Sequence, residues 1–260
     1  MKKYTLFILA FLPFLLFSQS TTKQKSKDKI YEKGKENKGV KVRNETAINS
    51  PNVDYSPNFY QNGLVFVSTH SAGPVDKRTG GRFHDLFFAP FDPNGEPIAR
   101  QEFSTNLNST GHEGPLTFSH DWNTVYFSRN AEKADSKGTA IHQQICEASR
   151  GLFDWEKIRP LPFNSDEYSC RHPALSPDGN TLYFSSDMPG GFGGFDIYRV
   201  KKEVGGWSKP ENLGPAVNTV KREGFPFVHE SGALFFASEG HNSMGGLDIF
   251  MAKTGENGQD

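Results

Sequence analysis

The chain has 260 residues, enough for one ordinary all-β domain with a real core. Its 29 Lys and Arg stand against 30 Asp and Glu, so no global attraction for a polyanion exists and no nucleic acid partner is expected. With 26 Gly, 16 Pro and 23 Phe but only 35% hydrophobic residues, the composition favours short strands and turns over long amphipathic helices.

Residues 1–18 have the three regions of a secretory signal peptide: Lys2 and Lys3, an apolar run from Leu6 to Phe17, then Ser18 before Gln19. Export to the periplasm or the outer membrane is expected. That run is short for a membrane span, and no later segment approaches the roughly 20 apolar residues required, so no transmembrane segment is expected in the mature chain. No cysteine stands near the cleavage point to carry a lipid anchor. Residues 19–38 form a flexible basic linker, too poor in apolar residues to build a core. Membrane-surface binding is its alternative role, although Asp28, Glu32 and Glu36 dilute the charge. Cys146 and Cys170 have no disulfide pattern, so a bridge and two buried thiols both stand open.

From residue 39 to 254 the sequence repeats. "FYQNGLVFVS", "FSHDWNTVYFS", "LSPDGNTLYFS" and "FVHESGALFFAS" follow one scheme, closing at Ser68, Ser128, Ser185 and Ser238. Asn49-Ser50, Asn108-Ser109, Asn164-Ser165 and Asn218-Thr219 keep pace, with Asp54, Glu113 and Glu223 five residues after the Asn and Glu167 three after it in the third copy. Strand-like alternation over Thr181 to Ser186, a second apolar run from Phe195 to Val200 and a Trp-led segment from Gly205 to Gly214 define one unit. Asn62-Gly63, Asp178-Gly179 and Gly245-Gly246 supply turns. Such sheets bury both faces only when packed around an axis, so the expected fold is an all-β β-propeller with four recognisable blades, at about 51–107, 108–163, 164–217 and 218–254, followed by a tail over 255–260.

"HPALSPDGNTLYFSSDMPGGFGGFDIY" followed by "WSKPENLGPAVNT" resembles the WD40-like, TolB-type propeller repeat of exported bacterial envelope proteins that carry an OmpA-like domain. The resemblance implies protein contacts in the envelope, in some relatives within a type IX secretion apparatus, and implies no catalysis. Peptidoglycan binding would need a further, downstream domain that these residues do not contain.

No catalytic constellation is apparent. No G-x-S-x-G elbow occurs, "SPDGNT" departs from the sialidase Asp box, and no two of the eight histidines have zinc-motif spacing, so no cofactor or metal is expected. Asp85, Asp196 and Asp248, with Gln144 in the second copy, are assigned to capping the Gly-rich turns; a carboxylate ring or calcium site is the alternative. The inter-blade loops should gather on one face and bind a protein partner through Glu113, Glu167, Arg171, His172, Arg222 and Glu223, unless their Asn and Ser or Thr only satisfy a recurrent turn. The expected function is thus a non-enzymatic exported scaffold for protein–protein contacts. A carbohydrate-binding or carbohydrate-active propeller is the alternative, resting on Phe192, Phe195, Tyr198 and Trp207, which would otherwise be inter-blade core. An extended segment from Gly39 to Ile48 has the sequence position of an outer strand. It either closes the ring against Leu247 to Ala252 or leaves an open, incomplete arc, the outcome favoured here.

Overall fold

A computed structural model describes residues 43–69, 75–77, 80–138 and 140–253; the expected leader, linker and tail lie outside them. The described residues form strands and turns, with no helix. Blade 1 comprises β1 (Asp54–Tyr60), β2 (Gly63–Thr69), β3 (His84–Pro90) and β4 (Gln101–Glu102). Blade 2 comprises β5 (Glu113–Phe118), β6 (Thr124–Asn130), β7 (Gln143–Arg150) and β8 (Trp155–Pro160). Blade 3 comprises β9 (Cys170–Leu175), β10 (Thr181–Ser186) and β11 (Asp196–Glu203), with two short outer strands, β12 (Gly206–Trp207) and β13 (Glu211–Asn212), both on β11. Blade 4 has β14 (Glu223–Val228), β15 (Leu234–Ser238) and β16 (Asp248–Ala252). All pairings within the blades are antiparallel, and the whole is a four-bladed β-propeller.

The strand period of two sorts each blade's side chains between its neighbours. Val65, Val67 and Leu86 of blade 1 pack with Leu116, Phe127 and Trp155 of blade 2. Tyr126 and Ile145 of blade 2 meet Leu182, Phe184 and Tyr198 of blade 3, and Tyr183 and Ile197 meet Leu234 and Phe236 of blade 4. Tyr198 and partly buried Trp207 thus serve inter-blade packing. Phe192, 48% exposed, does not.

Each innermost strand is interrupted at an equivalent place. The register shifts between Tyr55 and Asn58, Glu113 and Leu116, and Gly224 and Phe227, and opposite β9 between Tyr183 and Ser185. Ser56, His172 and Phe225 there have positive φ. Pro57, Pro115, Pro173 and Pro226 mark the same four places, as expected where a strand bulges and cannot donate to a ladder.

The register also resets the repeat alignment. Ser68 and Ser238 pair opposite Asp54 and Glu223, but Arg129 and Ser186, not Ser128 and Ser185, pair opposite Glu113 and Cys170. Of the segment expected to be extended over 39–48, residues 39–42 lie outside the described residues, and 46–48 form a turn instead. The same turn precedes Asn108 and Asn218, so Thr46 to Ile48 belongs to the junction motif rather than to an outer strand. Ile48 folds onto Phe66, Phe87 and Ala89, covering the side of blade 1 that faces away from blade 2.

Candidate functional site

Both the inter-blade segments and the long loops joining the second and third strands of each blade lead to the same ends of the sheets, where Ser68 lies between Asp54 and Asp85. This shared end is the loop face. Its foundation is a buried carboxylate latch. Asp54 accepts the Ser50 N–H at 2.6 Å, the Ser50 hydroxyl at 3.0 Å and the Ser68 hydroxyl at 2.6 Å. Glu113 accepts the Ser109 N–H at 3.0 Å and its hydroxyl at 2.5 Å, with Arg129 at 3.3 Å. Glu223 accepts the Thr219 N–H at 2.9 Å, its hydroxyl at 2.7 Å and the Ser238 hydroxyl at 2.6 Å.

Glu113 and Glu223 are 0% and 1% exposed, so the expectation that they meet a partner is corrected: their carboxylates satisfy buried donors. Burial pushes the Glu113 carboxyl upward, opposed by the Ser109 bonds and by Arg129. In the third copy Cys170 takes the latch position, with its sulfur 3.6 Å from the Ser186 hydroxyl, and Glu167 stays exposed on the loop, accepting the Ser136 N–H at 3.2 Å. Cys146 and Cys170 are separate buried free thiols, which closes the disulfide question. Burial raises them to about 11 and about 12.

Following the latch residue, Tyr55, Gly114, Arg171 and Gly224 alternate large and small around the axis. A Cβ on Gly224 would lie 3.2 Å from His172 Nδ1, and one on Gly114 would lie 3.1 Å from Ser128 Cβ. Arg171 spreads its guanidinium 3.6 Å above the Phe195 ring. Burial lowers it to about 10, with Asp187 opposing and Arg222 reinforcing that shift. His172, 7% exposed, stacks on Phe225 and so is also removed from any partner-binding role. Tyr55 is raised by burial, which Arg171 counters, and its hydroxyl lies 3.1 Å from His84 Nδ1.

Sequence spacing missed a histidine cluster here, because its members come from different blades. The His84 N–H donates to His112 Nδ1 at 3.2 Å, leaving His112 Nε2 to face Asp76 at 3.3 Å. Burial, with His112 second, lowers His84 to about 4, so the imidazole is neutral at physiological pH and accepts rather than carries charge. Among the described residues no group of three or more His, Cys, Asp or Glu is placed to hold a metal ion.

The loops of blades 3 and 4 form the exposed part of this face. Gly194 donates to the Lys221 carbonyl at 2.7 Å and Glu223 to the Phe195 carbonyl at 2.6 Å. Asp196 binds the Phe192 and Gly193 amides, and Asp248 binds the Met244 amide. Asp85 is buried opposite Ser68. Arg222 embraces Glu239 through both its Nε and Nη2. Over this frame Phe192, Val220 and Met244 are 48, 80 and 85% exposed. Of the six expected partner residues, the structure leaves Glu167 and Arg222 exposed at the surface, with Arg171 half-buried.

A concavity of about 640 Å³ lies between blades 2 and 3, lined by Tyr126, Glu147, Arg159 and Trp207 among others. Tyr126 and Trp207 meet edge to face there at 5.8 Å, occupying each other rather than forming a flat platform.

These features define the chain as a four-bladed β-propeller with a latched loop face. No family model and no curated protein matches the sequence. Solved structures match its fold: a thermostable family-43 glycoside hydrolase is 12% identical with a TM-score of 0.53, over 79% of this chain and 73% of that one. A BT0996 RGII complex is 9% identical with a TM-score of 0.51, over 75% and 64%. TolB from Acinetobacter baumannii is 13% identical with a TM-score of 0.47, over 78% of this chain and 41% of that one. The chain therefore spans less than half the length of TolB. The expectation that the chain is not an enzyme is corrected: a glycoside hydrolase shares the architecture, so the fold does not exclude catalysis.

Proposed function

We propose that the chain is an exported β-propeller that binds a protein partner in the bacterial cell envelope through the loop face of blades 3 and 4. The observation that carries this reading is the exposure of Phe192, Val220 and Met244 on three loops tied together beneath them, rimmed by the Arg222–Glu239 pair. An apolar centre with a charged rim is the anatomy of a protein-binding patch. Glu167, Arg171 and Arg222 extend the polar border toward blade 2. The charged leader-like segment, Lys2 and Lys3 before an apolar run, supports export, and no described helix is long and apolar enough to cross a membrane.

The test is site-specific photo-crosslinking in the native envelope. A photoreactive residue at Val220 should give a discrete adduct with one envelope protein, whereas the same residue at Asn180, on the opposite face, should give none. Identical adducts at both positions, or none at Val220, would reject the reading. A Val220→Asp variant should lose the adduct reported from a probe at Met244.

A further inference from the structure

Among the arginines of the blades, Arg171 is singular. Arg100, Arg129, Arg159, Arg199 and Arg222 each pair with a carboxylate, and Arg150 stands exposed to solvent. Arg171 is half-buried in β9, yet among the described residues no carboxylate lies within ion-pair distance of it, and its Nε is shut off from solvent with no acceptor. Of its three nitrogens only Nε is so enclosed; the two Nη nitrogens reach solvent. A buried donor left unmade costs free energy, and so does a desolvated charge without a counterion. An incoming anion would relieve the second cost.

The fold fixes the orientation of this guanidinium. Its Cζ lies 3.6 Å from the centroid of the Phe195 ring. Stacking covers one face of the planar group and leaves the N–H bonds, which lie in its plane, for an acceptor. Phe195 is itself held, because its carbonyl accepts the Glu223 N–H at 2.6 Å and it bridges to Arg222. The charges around the site are already committed. Arg222 is neutralised by Glu239, and Asp187, whose charge favours the Arg171 cation, accepts the Ser169 N–H at 2.7 Å. One oriented positive charge is left. A planar monoanion matches it, since a carboxylate accepts two parallel N–H bonds in one plane, whereas a phosphate dianion would place surplus negative charge near Asp187.

We propose that Arg171, laid on Phe195, is a binding site for a single carboxylate group on the loop face, held by parallel hydrogen bonds from its two Nη nitrogens. The carboxylate belongs either to a free small molecule or to an acidic side chain of the protein partner proposed above, and only the second source rests on that reading.

Titration of the purified chain with sodium acetate, followed through the Arg171 Nε–H resonance by NMR, tests the site. Acetate should move that resonance along a saturating curve at millimolar concentration, and sodium chloride at equal ionic strength should not. Acetate should also raise the urea midpoint of the wild type above that in chloride, by ligand linkage, a gain that Arg171→Met should lack. Crosslinking from Val220 in the native envelope then separates the sources. Loss of the adduct in Arg171→Met identifies a carboxylate borne by the partner, and an unchanged adduct beside a lost acetate response identifies a free one. A wild type that gives no adduct rejects the partner reading and leaves the acetate result standing as evidence for the free ligand. No saturating shift in acetate, an equal shift in chloride, or an acetate gain that survives in Arg171→Met would overturn the proposal.

Discussion

The His172 imidazole lies parallel to the Phe225 ring, 3.9 Å between centroids, and its Nδ1 accepts the Phe225 N–H at 3.2 Å. The contact joins the innermost strands of blades 3 and 4 at their bulges, so one side chain both packs and satisfies a buried amide.

This bond requires a neutral imidazole. Burial, reinforced by Arg171, holds the His172 pKa well below its ordinary 6.5. Below that value the unfolded chain takes up a proton that the folded chain refuses, so stability is intact above it and falls as pH drops. One such group gives a slope of about 1.4 kcal/mol per pH unit. His84, lowered to about 4, adds loss over the same window until it too is protonated. Urea unfolding of wild type between pH 7 and pH 5 should show this decline, and His172→Phe should show a shallower one. Equal slopes would remove His172 as the cause.

The buried and exposed acids should differ sharply. Glu223→Ala leaves the Thr219 amide, the Thr219 hydroxyl and the Ser238 hydroxyl without their acceptor in the interior, at a cost of about 2–4 kcal/mol. Glu167→Ala, on the exposed loop, should stay within about 0.5 kcal/mol of wild type. Denaturant midpoints of the two variants decide this, and similar midpoints would contradict the latch.

Burial is what the sequence could not show for these acids. Asn218-Thr219 followed by Glu223 was readable as a recurrent element, and so were the strands around Leu182 and Leu234, because period-two alternation and turn residues act locally. Whether Glu223 points outward or into the sheet depends on Ser238, fifteen residues away and on another strand. One additional residue between Asn164 and Cys170 disguised the third latch and drew attention to Glu167. The alternation of Tyr55, Gly114, Arg171 and Gly224 has meaning only once four inner strands share an axis. The bulges were legible in principle, since Pro57, Pro115, Pro173 and Pro226 each interrupt a strand that cannot use a proline in its ladder.

Native thiols should be inert. Cys146 and Cys170 are 2% and 0% exposed, and burial raises both far above neutral pH, so little thiolate forms and reagents cannot reach it. Titration with an aromatic disulfide should find two reactive thiols per chain in denaturant and fewer than about one in ten of them in buffer over the same interval. Rapid native labelling would mean that one core opens far more readily than its packing implies.

Phe184 tests the inter-blade packing. It is fully buried, stacks on Phe163 at 4.7 Å, and has Tyr198 at 6.0 Å. Truncation to alanine should cost about 3–5 kcal/mol, because neighbours from two different blades cannot collapse together into the space. An unchanged urea midpoint would show that this register is wrong.

The Gly-rich loop before β11 contains two glycines required for different reasons. Gly190 has φ +95 with open space beside it, so alanine there meets backbone strain of about 1–2 kcal/mol but no neighbour. At Gly193 the obstacle is contact: a Cβ would lie 2.3 Å from the Lys221 carbonyl oxygen and 2.4 Å from that of Thr219. Those are main-chain atoms of the loop carrying Val220, so Gly193→Ala must drive the Phe192 and Val220 loops apart. Overpacking of this kind costs about 1–3 kcal/mol. Global stability should therefore fall for both variants by comparable amounts, while only Gly193→Ala should weaken crosslinking from Val220. If Gly190→Ala weakens it equally, the close approach of the two loops is not what shapes the patch, and backbone strain anywhere in the loop suffices.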